Sequence, residues 1–367
     1  HPEMIEKVNR NDLGGRHGGD IEGIIQNLDY IKDLGATAIW STPMLEDNDS
    51  TYSYHTYAQS DVYRIDPRYG TNEDYKRLAN ELHKRDMKLL MDYVTNHWGA
   101  EHWMIEDLPD YNWIHQFPGY ENSNYMMTTQ MDPHNSKRDL RYCVDGWFVS
   151  SMPDLNQENP LVLNYLIQNA IWWIEYADLG GFRVDTYSYN DKEAIAEWTK
   201  AIMDEYPNFN IVGEVWMHDQ AQISYWQKDS PVGAIQSYNS NLPSVMDFTL
   251  HDALTAVFNE DDPSWDRGMI KAYENFVNDF LYAQGRIDLS RALPAGDAFF
   301  YALTEFRDSI YNYIAFVRGQ DGQGYVTLQG MDGRGATDFP KITEQWSMRA
   351  RHLANMYREK ILGQQIQ

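Results

Sequence analysis

Short apolar runs that end near an acidic residue, each followed by a helix-forming stretch, recur along this chain and narrow its fold more than any other feature. Lys88 to Val94 (KLLMDYV), Phe182 to Asp185 after Gly180-Gly181, and Asn210 to Trp216 (NIVGEVW) read as buried strands, as does Ala36 to Ser41 (ATAIWS). Helical apolar spacing covers Asp20 to Leu34, Asn72 to Arg85, Pro160 to Tyr176 with proline at its start, and Glu193 to Tyr206. Continuous apolar strands separated by helices mean a parallel sheet covered by helices. Either an open doubly wound sheet or a closed barrel satisfies this. The glycine-rich GxGxxG turn of a dinucleotide-binding doubly wound sheet is absent. Asp92, Asp185 and Glu214 all fall at the carboxyl ends of strands, the face where barrels place their chemistry.

The expected fold is therefore α/β, a (β/α)8 TIM barrel with a small inserted subdomain after the third strand. The 367 residues accommodate one barrel of about 250 residues with insertions. Residues 1–97 are assigned to the first part of the barrel, 98–146 to the insertion and 147–367 to the second part. The insertion is read from the stretch between Asn96 and Trp147, where alternation gives way to Tyr, Asn, Met and Asp.

A formal charge of −25 excludes a nucleic-acid partner, which such a surface repels, and suits a neutral substrate. Aromatic residues make up 14% of the chain and are scattered, which suits stacking on flat apolar faces such as those of sugar rings and equally suits large side chains filling a large core. Cys143 is the one cysteine, so no intrachain disulfide forms. No apolar run reaches membrane-spanning length, and no charged-then-apolar leader opens the chain. The start at His1-Pro2 is read as processed or trimmed.

Glycoside cleavage with retention needs two carboxyl groups roughly 5–5.5 Å apart, one attacking the anomeric carbon and one exchanging protons with the leaving oxygen and water. Asp185 and Glu214, separated by one helix and so on consecutive strands, are such a pair. Arg183 lies two residues before Asp185 on the same strand face, where it can hold the carboxylate ionised and aimed.

The surrounding motifs make the resemblance specific. DYVTNH (Asp92 to His97), GFRVDTYSY (Gly181 to Tyr189) and GEVW (Gly213 to Trp216) resemble the first three signatures of the α-amylase family of α-glucan-cleaving barrels (glycoside hydrolase family 13). MPDLN (Met152 to Asn156) resembles the extra signature of its neopullulanase/cyclomaltodextrinase-like branch, and YSYHTY (Tyr52 to Tyr57) the segment after strand two. The resemblance spans roughly residues 5 to 280. It implies Asp185 as nucleophile and Glu214 as general acid/base. His97 and His55 would bond sugar hydroxyls, Tyr57 would stack beneath the ring, and Arg183 and Asn96 complete the binding set. Asn96, with Asp92, also reads as a brace for the loop after strand three. The Asp154 and Asn156 pair reads equally as a loop brace or a binding element.

Two expected features are missing. No FxDNHD string exists, and GRIDLSR (Gly285 to Arg291) is the nearest remnant of the fourth signature, placing Asp288 at the third catalytic acid with Ile287 where a histidine belongs. No first or seventh barrel strand is recognisable, so the barrel looks incomplete. The resemblance implies a hydrolase of α-1,4 links in maltooligosaccharides, cyclodextrins or pullulan. The alternative is a catalytically impaired α-glucan-binding homologue in a saccharide uptake system. No redox cofactor is implied. Many relatives bind calcium, but no cluster here is specific enough to name as its ligands. The resemblance further implies a periplasmic location, with the cytoplasm as alternative, and homodimerisation as a habit of the branch.

Overall fold

The computed structural model describes Asn11 and residues 18–49, 54–249 and 251–252. The described residues up to 216, with 221–246, fall in one compact unit, and those of 217–220 and 247–252 in a second. The elements that follow all belong to the first. In chain order the principal ones are α1 (Ile21–Gln26), α2 (Leu28–Asp33), β1 (Ala38–Trp40), β2 (Leu45–Glu46), β3 (Asp61–Ile65), α3 (Asn72–His83) and β4 (Lys88–Val94). Then come α4 (Trp103–Glu106), α5 (Lys137–Val144), α6 (Pro160–Ala177), β5 (Gly181–Asp185), α7 (Lys192–Glu205), β6 (Asn210–Gly213) and β7 (Ser244–Val245).

Strands β1, β4, β5, β6 and β7 pair in parallel in that order, while β2 and β3 form a separate antiparallel pair. Spatial order equals chain order, with no reversal. A doubly wound sheet must reverse direction at its switch point, so this arc is singly wound. The helices confirm it, since α1 packs on α3, α3 on α6 and α6 on α7. They follow the strands around one face, as the outer ring of a barrel does.

The expected elements form with informative differences. Helix 20–34 breaks in two at Asn27, whose side-chain amide donates to the Gly23 carbonyl at 2.7 Å and so competes with the helical backbone. Helix α3 starts in a capping box, Thr71 accepting from the Asp74 amide while Asp74 accepts from Thr71. Helix α6 starts at the Asn159 cap followed by Pro160, and ends at Asp178 in the left-handed conformation (φ 51°).

Every residue of β5 is buried, as expected for a central strand covered on both faces. Its Phe182 ring meets Tyr93 of β4 (centroids 4.8 Å apart), which stacks on Trp198 of α7 at 5.5 Å. Burying each such ring contributes about 1.5–3 kcal/mol. The Tyr93 hydroxyl donates to Asn169 Oδ1 (2.7 Å) and Trp173 Nε1 to the Val62 carbonyl (2.8 Å), so α6 is fixed against the sheet and β3 by polar groups left with partners.

Residues 98–146 carry α4, α5, two 3-10 turns (Tyr111–Trp113 and Met127–Gln130) and no extended strand. Single bridges pair Ile114 with Leu155, Asn122 with Trp147 and His97 with Asp154. Among the described residues, no helix is long and apolar enough to cross a membrane.

Candidate active site

Parallel register brings the charged residues together. Asp92 of β4 is the register partner of Arg183 on β5, and Val94 is that of Asp185. Arg183 and Asp185, two apart, point to the same face. Val184 pairs with Gly213, and the Glu214 amide then donates to the Val184 carbonyl at 2.9 Å, setting Glu214 beside Asp185. The strand expected to reach Trp216 stops at Gly213, where the Tyr187 ring and Leu242 pack against the backbone. A Cβ there would meet Leu242 Cδ2 at 2.7 Å and Tyr187 Cγ at 2.9 Å, so only glycine fits.

Arg183 is the hub. Its Nη1 reaches Asp185 Oδ1 at 2.8 Å and Asp92 Oδ1 at 3.1 Å, and its Nη2 reaches Glu214 Oε1 at 2.5 Å. The guanidinium also lies 5.3 Å from the Trp40 ring centroid. Asp92 further accepts from Trp40 Nε1 (2.9 Å) and the Tyr57 hydroxyl (3.3 Å). Glu214 Oε2 accepts from the Thr186 amide at 2.9 Å. That amide is aimed by a left-handed Thr186 (φ 47°), a strained conformation for a β-branched residue worth about 1–3 kcal/mol.

Three carboxyl groups around one guanidinium carry surplus negative charge, and all sit in low dielectric. Burial pushes Asp92 up to about 7 against the pull of Arg183. Asp185 is raised by burial, opposed by Arg183, and Glu214 is raised by burial and by the Asp185 charge. Both groups therefore hold a proton to higher pH than a free carboxyl does, and their titration belongs to the pair rather than to either residue.

The other expected site residues fall nearby or into a brace. Half-buried Tyr57 lies against the Arg183 hub, its hydroxyl 3.4 Å from Nη1. The His55 ring is 5.6 Å from that of Tyr57, and its Nδ1 accepts the Tyr57 amide at 3.0 Å. His97 is buried, its ring edge-on to Phe148 at 5.5 Å, and burial pushes the imidazole down to about 4. Asn96 spends its amide on Asp154 Oδ1 at 2.9 Å, and the Asn156 amide group donates to the Asn112 carbonyl at 3.0 Å. Asp288 lies outside the described residues.

Three participants were not anticipated. Trp40 orients Asp92, and the Thr186 backbone anchors Glu214. His115 of the inserted segment bonds Asp154 Oδ2 through Nδ1 at 2.7 Å, with Asp145 Oδ1 3.6 Å from its Nε2. Burial acts to lower His115, but the hydrogen bond and charge of Asp154 and the Asp145 charge outweigh it and leave the imidazole raised. A tryptophan ending a strand beside Asp92's strand was the legible signal for Trp40; nothing local marks the partner of His115.

Among the described residues, no group of three or more His, Cys, Asp or Glu side chains is arranged to hold a metal. The Asp154 and Asn96 side chains are engaged with each other and with His115. Asn96 Oδ1 is buried without a hydrogen-bond partner, a single oxygen against the roughly six to eight that calcium takes.

The model of the alpha-amylase catalytic domain matches residues 5–283. The chain belongs to the alpha-amylase family. Its fold is thus that of a (β/α)8 barrel domain, of which the described residues supply a five-stranded arc. Relatives include alpha-amylase 3 of Dictyoglomus thermophilum, 32% identical over 263 residues, or 68% of this chain and 48% of that protein. The intracellular maltogenic amylase of Bacillus subtilis is 32% identical over 214 residues, 56% of this chain and 32% of its own length. The latter fits the neopullulanase-like branch. The alpha-amylase of Geobacillus thermoleovorans, solved in complex with acarbose, superposes with a TM-score of 0.60 at 32% identity, over 76% of this chain and 55% of that one. The family member described here spans about half the length of these relatives, or less.

Proposed function

We propose that this chain is a retaining hydrolase of α-1,4-linked glucans, acting on maltooligosaccharides, cyclodextrins or pullulan. The observation that carries the reading is one guanidinium spanning Asp185 and Glu214, at 2.8 and 2.5 Å. Two carboxyl groups so held are close neighbours. That suits the retaining separation of about 5–5.5 Å better than the wider inverting gap of about 6.5–9.5 Å. The amylase and maltogenic amylase relatives support the substrate class.

In this mechanism the Asp185 carboxylate attacks the anomeric carbon while Glu214 delivers its proton to the glycosidic oxygen, breaking the C–O bond and leaving a glucosyl–Asp185 ester. Glu214, now ionised, takes a proton from water, whose oxygen attacks the same carbon and releases Asp185. Arg183 keeps Asp185 ionised and aimed. Glu214, raised by burial and by the Asp185 charge, is suited to supply the proton that the first step consumes. His97, neutral because it is buried, and His55 bond the sugar hydroxyls, and Tyr57 stacks beneath the ring. Asp92 orients Arg183, and Asp288 stands as the third acid.

Product stereochemistry tests this directly. Proton NMR of freshly cleaved maltooligosaccharide is expected to show the α-anomer first, and Asp185→Asn to form no product. A β-anomer first would replace the covalent mechanism with direct attack by water. Sugar binding without any cleavage would favour the binding homologue instead.

A further inference from the structure

The reading above leaves unused a pair of exposed aromatic rings on the inserted segment. Tyr120 is 51% and Tyr125 49% exposed. Exposed tyrosines ordinarily rest a ring face on the protein and turn the hydroxyl to water. Here the hydroxyls are tied instead. Asn122 Nδ2 lies 3.0 Å from the Tyr120 hydroxyl and 3.2 Å from that of Tyr125, and both hydroxyls face the Phe148 carbonyl, at 3.4 and 3.2 Å. Tyr125 is moreover held at φ 57°, a left-handed conformation that a bulky aromatic adopts only when its surroundings enforce it.

The pair is continuous with the active site. The Tyr125 ring is parallel to that of Phe148 within 4° at 6.0 Å, and Phe148 stands edge-on to His97 at 5.5 Å and to Tyr189 at 4.8 Å. Tyr189 is four residues beyond Asp185. A two-ring patch is small against the roughly 800 Å² per partner of a stable protein interface. It matches a pyranose, whose C–H face lies on an aromatic ring while its hydroxyl rim meets polar neighbours.

We propose that Tyr125 and Tyr120 form a preformed platform for a glucose unit of an α-glucan several residues away from the bond being cleaved, so that the site favours longer chains. The proposal rests on the glucan-cleaving reading. Fixing both rings beforehand avoids the ordering entropy that mobile side chains would lose on binding.

The test is calorimetric titration of the full chain with maltotriose and with maltoheptaose, in a Glu214→Gln background so that neither sugar is cleaved, with both tyrosines unaltered and with Tyr125→Asn or Tyr120→Ala added. Asparagine tolerates the left-handed conformation, so Tyr125→Asn removes the ring without adding strain. The chain with both tyrosines is expected to bind maltoheptaose more tightly than maltotriose. Each variant should weaken maltoheptaose binding by about tenfold, the order of a lost aromatic contact, and narrow the gap between the two sugars. Equal losses for both sugars, or no loss in either properly folded variant, would overturn the platform while leaving the glucan reading intact. Failure of the chain with both tyrosines to bind either sugar would overturn both.

Discussion

The strand ends and the inserted segment are held by opposite means. At the strand ends, parallel register alone brings Asp92, Arg183 and Asp185 onto one face, all three at most 6% exposed, and the interactions among them are ionic. In residues 98–146 regular structure is scarce and polar side chains bonded to backbone do the fixing. Asn122 reaches the Trp147 and Phe148 carbonyls, Ser123 the Cys143 carbonyl and Asn124 that of Asp139. The difference teaches where each kind of specificity resides. Charges that carry chemistry sit on elements whose geometry is set by many hydrogen bonds. Rings that read shape sit on a segment whose geometry is set by a few.

Breaking the ionic side should have the largest effect. Asp185→Asn is expected to lower kcat on maltooligosaccharide by on the order of 10⁴-fold or more, measured by product release. Arg183→Lys should lower it by roughly 10²-fold, since a lysine ammonium cannot hold Asp185 and Glu214 at two ends of one plane. Arg183→Met, which removes the charge altogether, should move the acid limb of the pH–rate profile upward, because Asp185 loses the cation that opposes its burial. The alkaline limb reports loss of the Glu214 proton, so activity falls as pH rises past the raised value of that group.

Breaking the latch between the two regions should act on stability. His115→Gln leaves Asp154 buried without its cation and is expected to destabilise the fold by about 2–4 kcal/mol in urea unfolding. The imidazole is raised above its unfolded value, so its contribution is whole below about pH 6.5 and is lost as pH rises through the folded value. Burial also holds Asp154 up to about 7, so on acidification the variant's Asp154 takes up a proton and escapes the unpaired charge; the gap between parent and variant should therefore be widest near pH 7 and shrink on either side. An equal gap at every pH would mean that shape, not charge, holds the latch. The smallest effect is expected at Thr186→Gly. It relieves left-handed strain and should stabilise the protein by about 1 kcal/mol, while a looser Glu214 anchor lowers kcat roughly two- to tenfold.

The fold class, most strand positions and the Asp185–Glu214–Arg183 constellation were legible in the sequence, because strand periodicity and the order of the motifs are local. What was not legible depends on register or distant contact. The break at Asn27 comes from one side-chain hydrogen bond, and the need for glycine at 213 from Leu242 and the Tyr187 ring lying over it. Trp40 is 52 positions from Asp92 and His115 is 39 from Asp154, separations that no spacing rule spans. Asn96 could be read as binder or brace from the sequence. Its amide is bonded to Asp154.

We propose that Asp185 and Glu214, held on one guanidinium, cleave α-glucans. Reducing-sugar release from pullulan and from cyclodextrin by this chain, beside its Glu214→Gln variant, tests it most directly. Release by the unaltered chain is expected, with a loss of about 10²–10⁴-fold in the variant. Equal release by both would contradict it.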